Sequence, residues 1–277
     1  MENHICKTCG VQQAASEEPP EHCIICEDER QYIGPNGQEW TTLAEMKEAG
    51  YRNQMRELEP GLTGIQTQPG FAIAQVAHLV QTPDGNILWD CLSYIDDETV
   101  KKVNSMGGIQ AIAVSHPHFY DSMVEWSHAF GRAPIYIPEA DRQWVVRPDP
   151  VIHYWEDAIN PLPTVTLIQC GGHFEGSSVL HWPKGANGKG VLLVGDTMGV
   201  AQDRRHVSFM RSYPNLIPLP PSAIRGIADA VRPYQFDRIY SAWWGKVIES
   251  GAKEAVERSA ERYIRYISGE VPLSSPR

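Results

Sequence analysis

Alternating strand and helix patterns from Ile65 onward limit most strongly what this chain can fold into. Residues 70–92 and 177–196 each predict a β-hairpin, because two apolar runs flank a turn that contains glycine and asparagine. Helical patterns occur in both halves; residues 96–108, for example, begin with acidic side chains and end with two glycines. Hairpins combined with strand–helix units predict an α/β protein, with one mixed sheet or two sheets covered by helices.

The composition of the 277 residues argues against several other classes of protein. Hydrophobic residues make up 42% of the chain, which is enough for a core and argues against disorder. The formal net charge of −10 argues against a nucleic-acid partner, and no apolar run approaches the roughly 18 residues of a membrane-spanning helix. The first residues have no signal-peptide pattern, so we expect a cytoplasmic protein with a small-molecule substrate.

Two CxxC pairs, formed by Cys6 with Cys9 and by Cys23 with Cys26, lie in the first 34 residues. Each pair can direct two thiolates to one ion, and two pairs complete a tetrahedral four-sulfur site. Bound metal would supply the folding energy that this segment, poor in large apolar side chains, lacks. The spacing predicts a structural zinc module at residues 1–34 and a separate domain at residues 35–277. Iron with the same ligands, and redox pairs or disulfides, are the alternatives.

Three histidines and one aspartate follow predicted strands in positions that suit a second metal site. His116 and His118 come directly after an apolar run, and Pro117 favours an extended backbone at His116, so both rings are expected on one face. His173 follows two glycines after another strand, and Asp196 ends the last strand of the second hairpin. Imidazole and carboxylate groups are ligands of both zinc and iron.

These motifs, in this order and each at a strand end, resemble the metallo-β-lactamase superfamily over roughly residues 62–267. The resemblance implies an αββα sandwich of two mixed β-sheets flanked by helices, with the metal site at one edge between the sheets. It also implies that His116, His118 and His173 bind the first metal of the family. Asp196 matches the carboxylate that usually bridges two metals.

The chain departs from the superfamily pattern at the second metal position. The family motif His-x-His-x-Asp-His has Tyr120 and Asp121 at its last two positions here. The late histidine of the family is expected near residues 241–245, where this chain has none. The resemblance therefore implies a mononuclear site, or an unusual second site into which Asp121 turns.

Three histidines around one ion predict a metal-dependent hydrolase. Such an ion keeps one position for water, whose pKa zinc lowers to about 7, and the resulting hydroxide can attack an ester, lactone, amide or phosphoester. Asp196 is then a fourth ligand or a proton acceptor, Tyr120 a hydrogen-bond donor to the developing oxyanion, and Asp121 a proton shuttle. The structural alternatives are a packed ring for Tyr120 and a helix N-cap for Asp121.

The substrate is less defined than the metal ligands. Trp243 and Trp244 follow the last predicted strand, where a family ligand is missing, so we expect them to wall an apolar pocket. Such a pocket favours a small, uncharged or aromatic substrate. The sequence leaves the oligomeric state open.

Two further functions fit the same residues. His116, His173 and Asp196 provide the two-histidine, one-carboxylate set of non-haem iron oxygenases, and they match the sulfur dioxygenases of the superfamily. A mono-iron oxidoreductase is therefore one alternative to the hydrolase. A non-catalytic metal-binding protein, in which the cysteine module docks a partner, is the other.

Overall fold

Small elements form the first 51 residues of the structure, a computed structural model that describes residues 1–271. They are β1 (Ile5–Cys6), α1 (Ile24–Glu27), β2 (Trp40–Thr41) and α2 (Leu43–Glu48). β1 pairs antiparallel with β2, so this pairing crosses the predicted domain boundary at residue 34. Thr42 and Glu45 form a capping box that begins α2. The last six residues of the predicted domain at 35–277 lie outside the described residues.

A seven-stranded mixed sheet follows. Its strands, in both chain and spatial order, are β3 (Arg52–Glu59), β4 (Leu62–Gln68), β5 (Ala77–Thr82), β6 (Gly85–Trp89), β7 (Ala111–Ala113), β8 (Ile135–Pro138) and β9 (Ile152–Trp155). Neighbours are antiparallel from β3 to β6 and parallel from β6 to β9. The parallel strands are joined through α3 (Asp97–Ser105), α4 (Met123–Ala129) and the 3₁₀ helix Glu139–Trp144. Asp96 caps α3 by accepting a hydrogen bond from the Thr99 N–H at 2.6 Å, which confirms the predicted helix start.

The rest of the chain forms a second mixed sheet and two short hairpins. The strands are β10 (Ala158–Leu162), β11 (Val165–Gln169), β12 (Ser178–Trp182), β13 (Val191–Leu193), β14 (Gly199–Val200), β15 (Val207–Ser208), β16 (Met210–Ser212), β17 (Ile217–Pro218), β18 (Arg238–Tyr240) and β19 (Val247–Ile248). The six-stranded sheet has the spatial order β10-β11-β12-β13-β18-β19, and only β13 and β18 are parallel. β14 pairs with β15, and β16 with β17. The helices are α5 (Gly185–Gly188), α6 (Pro221–Val231) and α7 (Ala252–Ile267). Within residues 1–271, no helix is both long enough and apolar enough to cross a membrane.

The side chains of the two sheets divide into three apolar layers. In β5, Leu79 packs into the cluster that includes α3 and α4, whereas Val80 packs into the cluster between the sheets. In β12, Val179 packs with α6 and α7, whereas Leu180 faces the other sheet. Successive strand residues point to opposite faces, so each sheet contributes to one helix layer and to the shared interior. This αββα order confirms the predicted fold class.

Three edge strands have little signal in the sequence. β3 begins one sheet, β9 ends it, and β10 begins the other. The side chains of β3 are polar and largely solvent-facing, and β10 contains Pro161. Edge strands bury less apolar surface than central ones, so their sequences do not alternate clearly between apolar and polar.

Candidate metal centres

The first two histidines lie in a tight loop that follows β7. His116 is extended, with φ −171° and ψ 167°, as Pro117 predicts. The expectation that the extended backbone continues to His118 is wrong, because Pro117–Phe119 forms one turn of 3₁₀ helix. This turn still brings the two imidazoles together, with their ring centroids 5.1 Å apart.

Two glycines with positive φ give the other two groups their positions. Gly172 precedes His173, and a Cβ at Gly172 would approach Ile227 Cδ1 at 2.7 Å. Gly195 precedes Asp196, has φ +49°, and leaves no room for a Cβ beside the Ser115 side chain. Both turns therefore bend where only glycine fits, and they direct His173 and Asp196 toward the same point.

The site lies where the two sheets meet. β7 leads to Ser115 in the first sheet, and β12 begins at Ser178 in the second. The backbone N–H of Ser178 donates to the Ser115 carbonyl at 3.0 Å. This bond joins the end of β7 to the start of β12 beside the histidine loop, so ligands from both sheets reach one point.

Three imidazoles and one carboxylate converge at this point. His173 Nε2 lies 3.3 Å from His118 Nδ1, and Asp196 Oδ2 lies 3.6 Å from His116 Nε2 and 3.9 Å from His173 Nε2. One ligand atom from each of the four residues lies within 4.8 Å of all the others. Nitrogens bound tetrahedrally to zinc at 2.0–2.1 Å are about 3.4 Å apart, so the residues fit a single divalent ion.

Hydrogen bonds outside the cluster orient the rings. His173 Nδ1 donates to the Met210 carbonyl at 3.0 Å, which leaves Nε2 unprotonated and directed at the cluster. His116 Nδ1 lies 2.8 Å from the Ser115 hydroxyl, and this contact leaves Nε2 of His116 available to bind an ion. Among residues 1–271, His116 Nε2 and Asp196 Oδ1 have no hydrogen-bond partner although both are buried. Buried polar atoms are rarely left without a partner, so these two atoms point to a ligand.

The electrostatics of the cluster also suit a cation. Burial lowers the pKa of His116 and His118 well below the usual value and that of His173 to about 4, so all three rings are neutral ligands at neutral pH. Burial, and then the nearby carboxyl of Asp90, raise the pKa of Asp196 to about 8. A bound cation would favour the charged form of that carboxyl.

Tyr120 and Asp121 lie outside this cluster. The Tyr120 ring is fully buried and its hydroxyl donates to the Asp141 carbonyl at 3.5 Å, so the structure corresponds to the packed-ring alternative. Asp121 is hydrogen-bonded to Ser93 and Gln75 and has no capping bond to α4. Neither side chain belongs to the cluster of metal-ligand candidates, and the catalytic roles expected for Tyr120 and Asp121 stay predictions.

The two tryptophans that were expected to wall the pocket are partly buried and pack against other side chains. Trp244 donates to Gln66 Oε1 at 2.6 Å and packs against Gly64 in β4. Trp243 packs in the core behind Phe119, with ring centroids 6.3 Å apart. Because both rings are occupied by packing within the first sheet, they give no support for an aromatic substrate.

The four cysteines form a second, closed cluster. Cys6 Sγ lies 3.5 Å from Cys26 Sγ, and Cys9 Sγ lies 3.7 Å from Cys23 Sγ. A disulfide requires about 2.05 Å, whereas sulfurs bound tetrahedrally to zinc at about 2.3 Å are about 3.8 Å apart. Hydrogen bonds from the other thiols, first from Cys23, lower the pKa of Cys6, while burial raises that of Cys9. The residues fit a four-sulfur metal site.

This cysteine cluster is part of the main core. All four cysteines, with Val11 and Ile25, pack in the same cluster as β4–β7 and α4. Ser93 donates to the Gly10 carbonyl at 2.9 Å, and the Gln12 N–H donates to the Asp121 carbonyl at 3.0 Å. Asp121 therefore helps to dock the cysteine segment against the first sheet.

Several residues of the site carry weak sequence signals. Asp90 directly follows β6, and its Oδ1 accepts a hydrogen bond from the Ser115 N–H at 2.8 Å. Its position after a strand was the available sequence signal. Met210 acts only through its backbone carbonyl, so its side chain gives no indication of this role. Arg30 lies near the histidines only because of the tertiary fold.

Comparisons with known proteins bear on this site. No protein-family model matches the chain. "Uncharacterized protein YmaE" of Bacillus subtilis (strain 168) is 53% identical over 273 residues, which cover 98% of this chain and 99% of that protein. A solved B3 metallo-β-lactamase with an active-site glutamic acid is 15% identical, with a TM-score of 0.54 over 83% of this chain and 94% of its own. The crystal structure of VMB-1 is 11% identical, with a TM-score of 0.59 over 79% and 99%.

The solved structures establish the fold, and the two clusters define the sites. The chain is a metallo-β-lactamase-fold protein with one His3Asp cluster and one four-cysteine cluster that can hold metal ions. The resemblance drawn from the sequence motifs is confirmed at this level. By its likeness to the B. subtilis protein, the chain belongs to the YmaE family.

Proposed function

We propose that the chain is a metal-dependent hydrolase with a mononuclear site at His116, His118, His173 and Asp196. The convergence of four ligand atoms within 4.8 Å carries this proposal. The unpartnered nitrogen of His116 and oxygen of Asp196 support it, because a cation would satisfy both. One structural neighbour is described as a metallo-β-lactamase, which makes hydrolysis the natural first hypothesis.

The chain's own residues have distinct roles in this proposal. The three neutral imidazoles bind the ion, while Met210 and Ser115 hold two of the rings in the orientation that binding requires. A zinc ion held by these residues would lower the pKa of bound water to about 7 and would polarise the bond under attack. Asp196, whose Oδ2 faces two imidazoles, accepts a proton or completes the ligand set.

The site is proposed to hold one ion and not two. Asp121, the residue that the sequence offered for a second ion, is held by Ser93 and Gln75 at the interface with the cysteine segment. Tyr120 is buried with its hydroxyl on the Asp141 carbonyl. Neither side chain supplies a ligand beside Asp196. We propose zinc for the four-cysteine site and zinc or iron for the histidine site.

The substrate class follows from chemistry more than from shape. An ester, lactone, amide or phosphoester is open to the proposed attack, and the enclosed site favours a small molecule over a polymer. The net charge of −10 disfavours nucleic acid as a partner. Free cysteines throughout the chain agree with the reducing cytoplasm, which we propose as its location.

Metal counting tests the proposal first. Elemental analysis of the purified protein should give two ions per chain, and His116→Ala or His173→Ala should reduce the count to one. His153→Ala, which changes an exposed histidine of β9, is the matched control and should keep both ions. Hydrolysis of an ester, lactone, amide and phosphoester panel should then be lost with the histidine-site ion. A single ion in both the native chain and His116→Ala would overturn the proposal.

A mono-iron oxidoreductase is the second candidate. Asp196 Oδ2 lies within 4 Å of the Nε2 atoms of both His116 and His173, which is the two-histidine, one-carboxylate set of non-haem iron oxygenases. Iron in the histidine site and oxygen uptake with a thiol or persulfide substrate would favour this candidate. A loaded protein that neither hydrolyses the panel nor consumes oxygen would favour the non-catalytic binding protein.

A further inference from the structure

The candidate metal site is enclosed. His116, His118, His173 and Asp196 are each no more than 5% exposed. The rings of Phe119, Phe174 and Tyr213 lie against the imidazoles and form part of this enclosure. A substrate must therefore enter where the enclosure depends on side-chain contacts near the surface.

One short segment provides such contacts. We call Asp28–Gln31 the lid segment; it directly follows α1, which contains Cys26. Its Arg30 is only 3% exposed, and the guanidinium lies 4.2 Å from the centre of the Phe174 ring. The Phe174 ring centre in turn lies 4.9 Å from that of His118 and 5.2 Å from that of His173. Arg30 is thus separated from the metal ligands by a single ring.

Polar bonds on the surface side hold the lid segment in place. Arg30 binds both carboxylate oxygens of Glu175 at 3.0 and 3.2 Å, and 57% of the Glu175 side chain is exposed. The hairpin of β16 and β17 adds four further bonds, one of which runs from the Arg211 guanidinium to the Glu29 carboxylate. Ser212 donates to the Arg30 carbonyl at 2.9 Å, and the Asn215 amide donates to the Glu29 and Gln31 carbonyls at 2.9 and 3.0 Å.

Within the described part of the chain, two buried polar atoms of the lid segment lack hydrogen-bond partners in its closed position. Arg30 Nε and Gln31 Oε1 are buried with no hydrogen-bond partner among residues 1–271. Each such atom favours an open state in which water can reach it. Ion pairs that reach the surface are also weak and screened by salt. The segment therefore combines a covering position with two unsatisfied buried atoms and an ion pair that salt can screen on its Glu175 side.

We propose that the lid segment Asp28–Gln31 is a gate over the histidine metal site, anchored at one end by the four-cysteine cluster and closed by the Arg30–Glu175 pair. Opening breaks the contacts to Glu175, Phe174 and the β16–β17 hairpin and admits small molecules to the imidazoles. The cysteine cluster remains docked in the core, so the segment opens from a fixed end. The proposal deepens the proposed function, since it rests on the same histidine site.

Histidine modification of protein that keeps its cysteine-site ion but carries no ion at the histidines tests the gate without requiring catalysis. Diethyl pyrocarbonate acylates accessible neutral imidazoles, and peptide mass spectrometry gives a rate for each histidine. Arg30→Ala should raise the rates at His116, His118 and His173 about tenfold, and Glu175→Gln should raise them about threefold. Arg142→Ala removes an exposed arginine–glutamate pair outside the lid segment and should leave these rates unchanged.

The outcomes separate the gate from the proposed function. Unchanged rates in Glu175→Gln with a native thermal transition would overturn the gate, as would equal acceleration in Arg142→Ala. In protein loaded with Co²⁺, EDTA should remove the histidine-site ion faster from Glu175→Gln than from the native chain, as followed by the visible absorption band. If Co²⁺ does not bind at all, the proposed function fails, while the acylation rates still decide the gate.

Discussion

Gly195→Ala is the substitution that most directly tests how the metal site is assembled. Gly195 has φ +49°, a backbone region that costs a residue with a Cβ about 1–2 kcal/mol. The new Cβ would also lie 2.7 Å from Ser115 Cβ and would overlap the Ser115 hydroxyl, and overpacking of this kind costs about 1–3 kcal/mol. Alanine lowers the entropy of the unfolded chain, which returns about 0.4–1 kcal/mol. The net loss in unfolding free energy is about 1–5 kcal/mol.

The same substitution should weaken metal binding, because Ser115 orients His116 and Gly195 directs Asp196. Urea unfolding followed by circular dichroism gives the stability, and Co²⁺ titration gives the affinity of the histidine site. Gly226→Ala is the matched control: Gly226 lies in α6, and a Cβ added there would meet nothing within 4 Å, so alanine should stabilise the protein by about 0.5–1 kcal/mol. A Gly195→Ala protein as stable as the native chain and with unchanged Co²⁺ affinity would refute this view of the site.

Three further predictions concern regions outside the histidine cluster. Burial lowers the pKa of His78 from 6.5 to about 4. The unfolding free energy is therefore unaffected by this group above pH 6.5 and falls by at most about 3 kcal/mol as the pH drops toward 4. Urea unfolding of His78→Gln should show a flatter pH dependence in this range. In Gly10→Ala, the Cβ would lie 2.5 Å from Asp121 Oδ1 and Ser93 Oγ, so the melting temperature should fall, and a native value would argue against tight docking of the cysteine segment. Cys9→Ser should remove one ion per chain in elemental analysis and lower the thermal transition, whereas an unchanged ion count would exclude metal at this cluster.

The central strands and the metal ligands were predictable because their signals are local. Asp196 and the histidines follow apolar runs at strand ends, and the two hairpins have clear turn residues. Edge strand β3 was not predictable, since its polar side chains face solvent. The lid segment was not predictable either, because Arg30 meets Glu175 across 145 residues of sequence, and no local pattern records such a contact.

The role of Asp121 shows a different limit. An acidic residue three positions after a metal-ligating histidine looks available for catalysis, yet its carboxylate is occupied by Ser93 and Gln75. Both partners come from other parts of the first sheet, so only the tertiary structure reveals them. The two tryptophans after β18 were assigned to a pocket on the same local reasoning, and the structure adds contacts to the first sheet that the sequence did not predict.

The cysteine segment makes contacts with residues far later in the chain, and this has a consequence for synthesis. Arg211 pairs with Glu29 across 182 residues, and Ser212 and Asn215 bind the backbone beside it. The cysteine segment is synthesised before these partners, so its contacts with them are missing while the ribosome is still producing the second sheet. Long-range contacts of this kind form late and slow folding. Supply of the metal during translation would therefore protect four thiols from mispairing until the chain is long enough to enclose them.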